Sequence, residues 1–157
     1  MSLAQAVGYA VHVVFGAIWT GSVLFVALGV LPVALQGDAG VDLLEHAIDR
    51  LTTVSRLSAT VLLLTGLWQL SYLYPGVDAL TAAPRGHLVL TMIALWFLMA
   101  GLVEVGASRA RDSLAERKVR TPAADARPFL YAASLVAVLV LLDAGLLAAD
   151  VRIAGVL

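Results

Sequence analysis

The segment "VHVVFGAIWTG" (Val11–Gly21) lies inside a stretch, Met1 to Gly37, that contains no charged residue. About 20 predominantly apolar residues are enough to cross the hydrocarbon core of a bilayer as an α-helix, so this stretch predicts a membrane-spanning helix. No basic residue precedes it and its apolar run is longer than that of a signal peptide, so we expect the helix to be retained. It carries one histidine, His12, and such a side chain in a membrane helix calls for a partner or a function.

The composition of the chain also indicates a membrane protein. Of its 157 residues, 61% are hydrophobic and 13% are charged, whereas soluble domains have about 25% charged residues. The net charge of −1 gives no indication of nucleic-acid binding. Since there is no cysteine, disulfides and thiolate metal sites are excluded.

Hydropathy predicts four spans, at about residues 5–31, 53–74, 86–107 and 128–149. We therefore expect an all-α, polytopic membrane protein, with residues 1–157 forming a single four-helix transmembrane domain. The segment "VDLLEHAIDRL" (41–51) has apolar residues at helical spacing and predicts an amphipathic helix, which either lies on the membrane or extends the second span. We expect the residues from about 108 to 127 to form a basic loop in the cytoplasm.

The distribution of basic residues predicts the orientation of the chain. Loops on the cytoplasmic side of a membrane are enriched in Lys and Arg. One side of the predicted bundle has eight such residues and the other has two: Arg50, Arg56, Arg109, Arg111, Arg117, Lys118, Arg120 and Arg127, against Arg85 and Arg152. We therefore expect a multi-pass protein of the cytoplasmic membrane with both termini outside.

In this orientation three ionisable side chains lie at one height near the outer surface: His12, His87 and Asp143. Two imidazoles and a carboxylate are suitable ligands for Cu(II) or a similar divalent ion, so we expect them to form a metal site. Alternatively, His12 and His87 could hold a haem iron axially, or a carboxylate could orient a histidine or relay protons. In the simplest alternative, His12 bonds to a neighbouring helix and His87 is solvated.

Other residues predict packing rather than chemistry. Glu104 and Arg56 are expected to form an ion pair near the inner surface, and Trp19 is expected to pack in the core. Glycines at five positions predict points where helices approach closely: Gly8, Gly16, Gly66, Gly101 and Gly145. Since no nucleophile, acid–base constellation or phosphate-binding motif is visible, the sequence favours a role other than catalysis.

Three segments resemble the CopD family of copper-resistance membrane proteins. They are "VHVVFGAIWTGSVLFVALGVLP" (11–32), "VSRLSATVLLLTGLWQL" (54–70) and "PRGHLVLTMIALWFLMAGLVEV" (84–105). The first resembles a helix in which a histidine is followed by Trp-x-Gly, and the second contains a similar Leu-Thr-Gly. The resemblance implies copper transport or tolerance across the cytoplasmic membrane, with copper as the bound ion and His12 as the functional position that carries over.

The first helix is also similar to that of HemJ-type protoporphyrinogen oxidases, which are four-helix membrane proteins associated with haem. That family has Leu-Pro-Arg after the helix, whereas Val33 follows Leu31 and Pro32 here. This similarity implies haem b binding, in electron transfer or porphyrin chemistry, as the alternative to copper. A third possibility is a non-catalytic subunit of a larger membrane complex, and a bundle of four helices also suits a homo-oligomer.

Overall fold

The computed structural model of the chain describes residues 2–114 and 119–149. Within these ranges the chain is helical and contains no strand. Its helices are α1 (Leu3–Phe25), which continues through a π-helical turn (Val26–Val30) into α2 (Leu31–Gln36), then α3 (Val41–Leu73), α4 (Val77–Ala82), α5 (Pro84–Leu114) and α6 (Arg120–Ala148). Four stretches are long and apolar enough to span a membrane: Leu3–Gln36, Val41–Leu73, Pro84–Asp112 and Arg120–Ala148. The predicted all-α polytopic fold is confirmed.

The four long helices pack in the ring order α1, α3, α5, α6, and α6 contacts α1 to close the ring. Each helix runs antiparallel to its neighbours because the connections between them are short. One end of the bundle, here called the termini end, holds the start of α1, the end of α6 and the α3–α5 connection. The other, the basic end, holds the connection at 37–40, the end of α5 and the start of α6. Large apolar side chains such as Phe25, Leu64 and Leu135 cover the outside, where they are 69%, 63% and 63% exposed.

The first span continues beyond Leu31, where hydropathy placed its end. Pro32 lies in the first turn of α2, where its missing N–H is tolerated, and the N–H of Leu31 bonds to the carbonyl of Val26 across the π turn. The helix ends instead at Gly37, whose φ of 86° is a left-handed conformation that favours glycine. Arg120 then donates to the carbonyl of Gln36 at 2.7 Å.

The amphipathic segment at 41–51 is continuous with α3. Leu44, Ile48 and Leu51 are at most 2% exposed, so the apolar face of this segment packs against other helices and the segment extends the second span. The basic segment expected as a loop at 108–127 is also helical at its described residues other than Val119, because α5 runs to Leu114 and α6 begins at Arg120. Hydropathy marks only the apolar part of each helix. Arg117, Lys118 and Arg152 lie outside the described residues.

The glycines give a mixed result as markers of close approach. A Cβ atom at Gly8 would overlap the ring of Trp68, and one at Gly66 would lie 3.4 Å from Cε1 of His12. These two contacts confirm that α1 and α3 approach closely. At Gly101 and Gly145 an added Cβ would meet no described atom within 4 Å, so the expectation of close contact was wrong there.

Candidate functional site

His12 faces α3 and is half-buried. Its Nδ1 lies 2.7 Å from the hydroxyl oxygen of Thr65, 53 residues further along the chain. The same hydroxyl lies 2.7 Å from the backbone carbonyl of Val61 and donates to it. Among the described residues, Nε2 of His12 has no hydrogen-bond partner. The imidazole is therefore held from one side by a neighbouring helix, while its second nitrogen is uncommitted.

Asp143 lies on α6 and is 5% exposed. Its Oδ2 atom is buried and has no hydrogen-bond partner among the described residues. Burying an unpaired polar group costs about 1 to 3 kcal/mol by mutational measures, and an unpaired charge costs more. A carboxyl group in such a place is therefore unfavourable for the stability of the fold.

The depth of Asp143 follows from a contact at the termini end. Nη2 of Arg85 donates to the carbonyl of Leu147 at 2.7 Å, which places the start of α5 beside the last turn of α6. Asp143 is four residues from Leu147 toward the basic end. At 1.5 Å per residue, Asp143 lies about 6 Å below the level of Arg85.

His12 lies at a matching depth. Trp96 is eleven residues along α5 from Arg85, and its ring meets that of Trp19 edge-on across the bundle, with the centroids 6.4 Å apart. His12 is seven residues nearer the termini end than Trp19, so it too is about four residues, or roughly 6 Å, below the level of Arg85. His12 and Asp143 therefore lie at a similar height on helices that are in contact.

His87 lies two residues after Arg85, near the same height, but its side chain is exposed at the start of α5. Among the described residues, no group of three or more His, Asp or Glu side chains is placed so that it could hold a metal ion. The structure thus does not bring His12, His87 and Asp143 together as a ready-made cluster of three ligands. The physical reason is that His87 is exposed at the start of α5, whereas Asp143 is buried inside the bundle.

Two tryptophans lie below His12 and Asp143, toward the basic end. Trp19 is 1% exposed and its indole N–H donates to Oγ of Ser55 at 2.8 Å. The indole N–H of Trp96 is buried and unpartnered within the described residues, as is the amide nitrogen of Gln69, one turn beyond Thr65. Trp19 therefore packs in the core as expected. The two unpaired donors lie on either side of the level of His12: Gln69 toward the termini end and Trp96 toward the basic end.

The ion pair expected nearer the basic end is present. Arg56 donates to both carboxylate oxygens of Glu104, through Nε at 2.8 Å and Nη2 at 2.9 Å. The two side chains are 67% and 40% exposed, so they join α3 to α5 at the surface of the bundle. This pair is separate from the half-buried and buried groups at the termini end.

The partner of His12 was not predicted from the sequence. Thr65 belongs to the "LTG" segment at 64–66, which carried part of the family resemblance. Nothing in the spacing of His12 and Thr65 indicates that they touch. The one available signal was Gly66, since a glycine marks a place where another helix can approach.

These features define a class: an integral membrane protein with four apolar helices and a small group of polar side chains inside one end of the bundle. The chain matches the family model described as Copper resistance protein D over residues 45–147. It belongs to the copper resistance protein D family. The matched region begins in α3 and ends in α6, so it includes His87 and Asp143 but not His12. No curated protein and no solved structure matches the chain.

Proposed function

We propose that this protein transports copper ions, or maintains their homeostasis, in the cytoplasmic membrane, and that copper is its cargo rather than a resident cofactor. His12 and Asp143 are the proposed ligands at the termini end. The observation that carries this proposal is the buried Oδ2 of Asp143 without a partner, because a bound cation would compensate the carboxylate. The membership of the copper resistance protein D family supports copper as that cation.

The donor atoms suit oxidised copper. A neutral imidazole nitrogen and a carboxylate oxygen are ligands that Cu(II) accepts well, and Nε2 of His12 is the free nitrogen. We include His87 as a third ligand that joins from the exposed start of α5. A site with few protein ligands is suitable for cargo, because a transported ion must be able to leave.

The proposed orientation has both termini outside, since the described basic residues other than Arg85 lie in the half of their helices that is toward the basic end. In that orientation the ligands lie near the outer surface and Glu104 near the cytoplasm. Reporter fusions at each terminus test this directly. A terminus found in the cytoplasm would place the site on the inner side and contradict copper capture from outside.

The decisive experiment measures copper and visible absorbance of the purified protein and of the His12→Ala and Asp143→Asn variants. We expect bound copper in the wild type and less in both variants. His46→Ala is the matched control, because His46 is exposed and its Nδ1 lies 2.7 Å from the carbonyl oxygen of Asp42 in the same helix. His87→Ala tests the third ligand.

Three other outcomes would contradict the proposed function or the proposed ligands. A Soret band that is lost in His12→Ala would indicate haem b instead of copper. A colourless, metal-free protein that purifies with other membrane subunits would indicate a non-catalytic component of a complex. Wild-type binding that is unchanged in every histidine and aspartate variant would locate the copper elsewhere.

A further inference from the structure

We infer that Thr65 is a positioning residue that fixes His12 in the tautomer with its proton on Nδ1, so that Nε2 keeps a free lone pair. The assignment of the tautomer stands whatever the bound species is. Its consequence for copper rests on the function proposed above. The contacts that carry the inference are those of the Thr65 hydroxyl with Nδ1 of His12 and with the carbonyl of Val61.

The direction of these hydrogen bonds follows from counting protons. A threonine hydroxyl has one hydrogen to donate and lone pairs to accept with. The Thr65 oxygen lies 2.7 Å from the carbonyl oxygen of Val61, and a carbonyl can only accept. The hydroxyl hydrogen is therefore directed at Val61, and the remaining contact, at 2.7 Å, needs a hydrogen supplied by Nδ1 of His12.

The opposite arrangement is less favourable. If Thr65 donated to Nδ1, the ring proton would be on Nε2, which has no acceptor among the described residues. That arrangement would also remove the hydrogen bond that the Thr65 hydroxyl donates to the carbonyl of Val61 at 2.7 Å. The arrangement with the proton on Nδ1 satisfies both hydrogens and leaves only a lone pair unused.

The local backbone makes the contact possible. Gly66 follows Thr65, and an added Cβ there would lie 3.4 Å from Cε1 of His12. The ring edge thus passes close to the α3 backbone, and Nδ1 reaches the hydroxyl. A hydrogen bond from the second nitrogen of a ligating histidine orients the ring and raises metal affinity, and its removal costs 10- to 100-fold in affinity in typical sites.

The test uses three variants in the full-length protein. Thr65→Val keeps the shape and removes the hydroxyl, whereas Thr65→Ser restores it. Thr60→Val is the matched control, because the Thr60 hydroxyl donates only to the carbonyl of Arg56, at 2.8 Å, on the same helix.

The first readout is nitrogen NMR of His12 in metal-free protein, at a pH well above the ordinary histidine pKa of about 6.5. We expect the proton on Nδ1 in the wild type, Thr65→Ser and Thr60→Val, and loss of this preference in Thr65→Val. A wild-type spectrum with the proton on Nε2 would overturn the inference, even if Thr65→Val did not fold.

The second readout is Cu(II) affinity, for which we expect a decrease of about 10- to 100-fold in Thr65→Val and recovery in Thr65→Ser. Unchanged affinity in Thr65→Val would refute the positioning role. Should the wild type bind no copper while its ring proton is on Nδ1, the copper function would fail and the tautomer assignment would stand.

Discussion

Replacing Asp143 by asparagine should stabilise the protein. The substitution keeps the size and shape of the side chain and removes a group that can be ionised. Because Asp143 is 5% exposed and its Oδ2 has no described partner, nothing in the fold compensates its charge. Burial of an unpaired polar or charged group costs about 1 to 3 kcal/mol or more, so we expect the free energy of unfolding to rise by about 1 to 2 kcal/mol, since the amide remains unpaired as well.

The change in stability can be measured as a change in the melting temperature of the protein in detergent or nanodiscs. On the scale of soluble domains of this size, about 1 kcal/mol corresponds to about 2 to 4 °C, so Asp143→Asn should melt a few degrees higher without metal. Asp49→Asn is the matched control. Asp49 lies 3.1 Å from Nη2 of Arg111 and is 59% exposed, so its loss should change stability by less than about 1 kcal/mol. A lower melting temperature for Asp143→Asn than for this control would show that the carboxylate has a stabilising partner, which would contradict the prediction.

Two further predictions concern packing and surface charge. Gly8→Ala should reduce stability by about 1 to 3 kcal/mol relative to Gly16→Ala, because only at Gly8 would the new Cβ overlap the ring of Trp68. The gain in helix propensity is common to both variants, and equal melting temperatures would contradict the predicted overlap. Glu104→Gln should cost less than about 1 kcal/mol because the pair with Arg56 is largely exposed,. A double-mutant cycle measures their coupling, and a value of several kcal/mol would show that the pair is shielded from solvent.

The sequence predicted the four spans well because a bilayer demands long apolar helices. It placed their ends less well. Hydropathy reports which residues suit lipid. The helix α3 nevertheless begins earlier, at Val41, because the apolar face around Ile48 packs against neighbouring helices. The same limit explains the end of the first span, which is decided by the left-handed Gly37 and not by Pro32.

The candidate site was partly predictable. Counting residues from the ends of the spans placed His12 and Asp143 at one height. The bond of Arg85 to Leu147 and the contact of Trp19 with Trp96 support that estimate. The direction of each side chain could not be predicted, because it depends on the rotation of each helix about its axis. That rotation is set by packing, so the bond from His12 to Thr65 was not foreseen.

His12 and Asp143 are proposed to bind copper together at one end of the bundle. Pulsed electron paramagnetic resonance of the Cu(II)-loaded protein tests it most directly, because it detects imidazole nitrogens around the metal. We predict signals from the imidazoles of His12 and His87 in the wild type. The His12 signal should be lost in His12→Ala, both signals should persist in His46→Ala, and Asp143→Asn should bind Cu(II) more weakly. An identical Cu(II) spectrum and affinity in the wild type, His12→Ala and Asp143→Asn would contradict the claim.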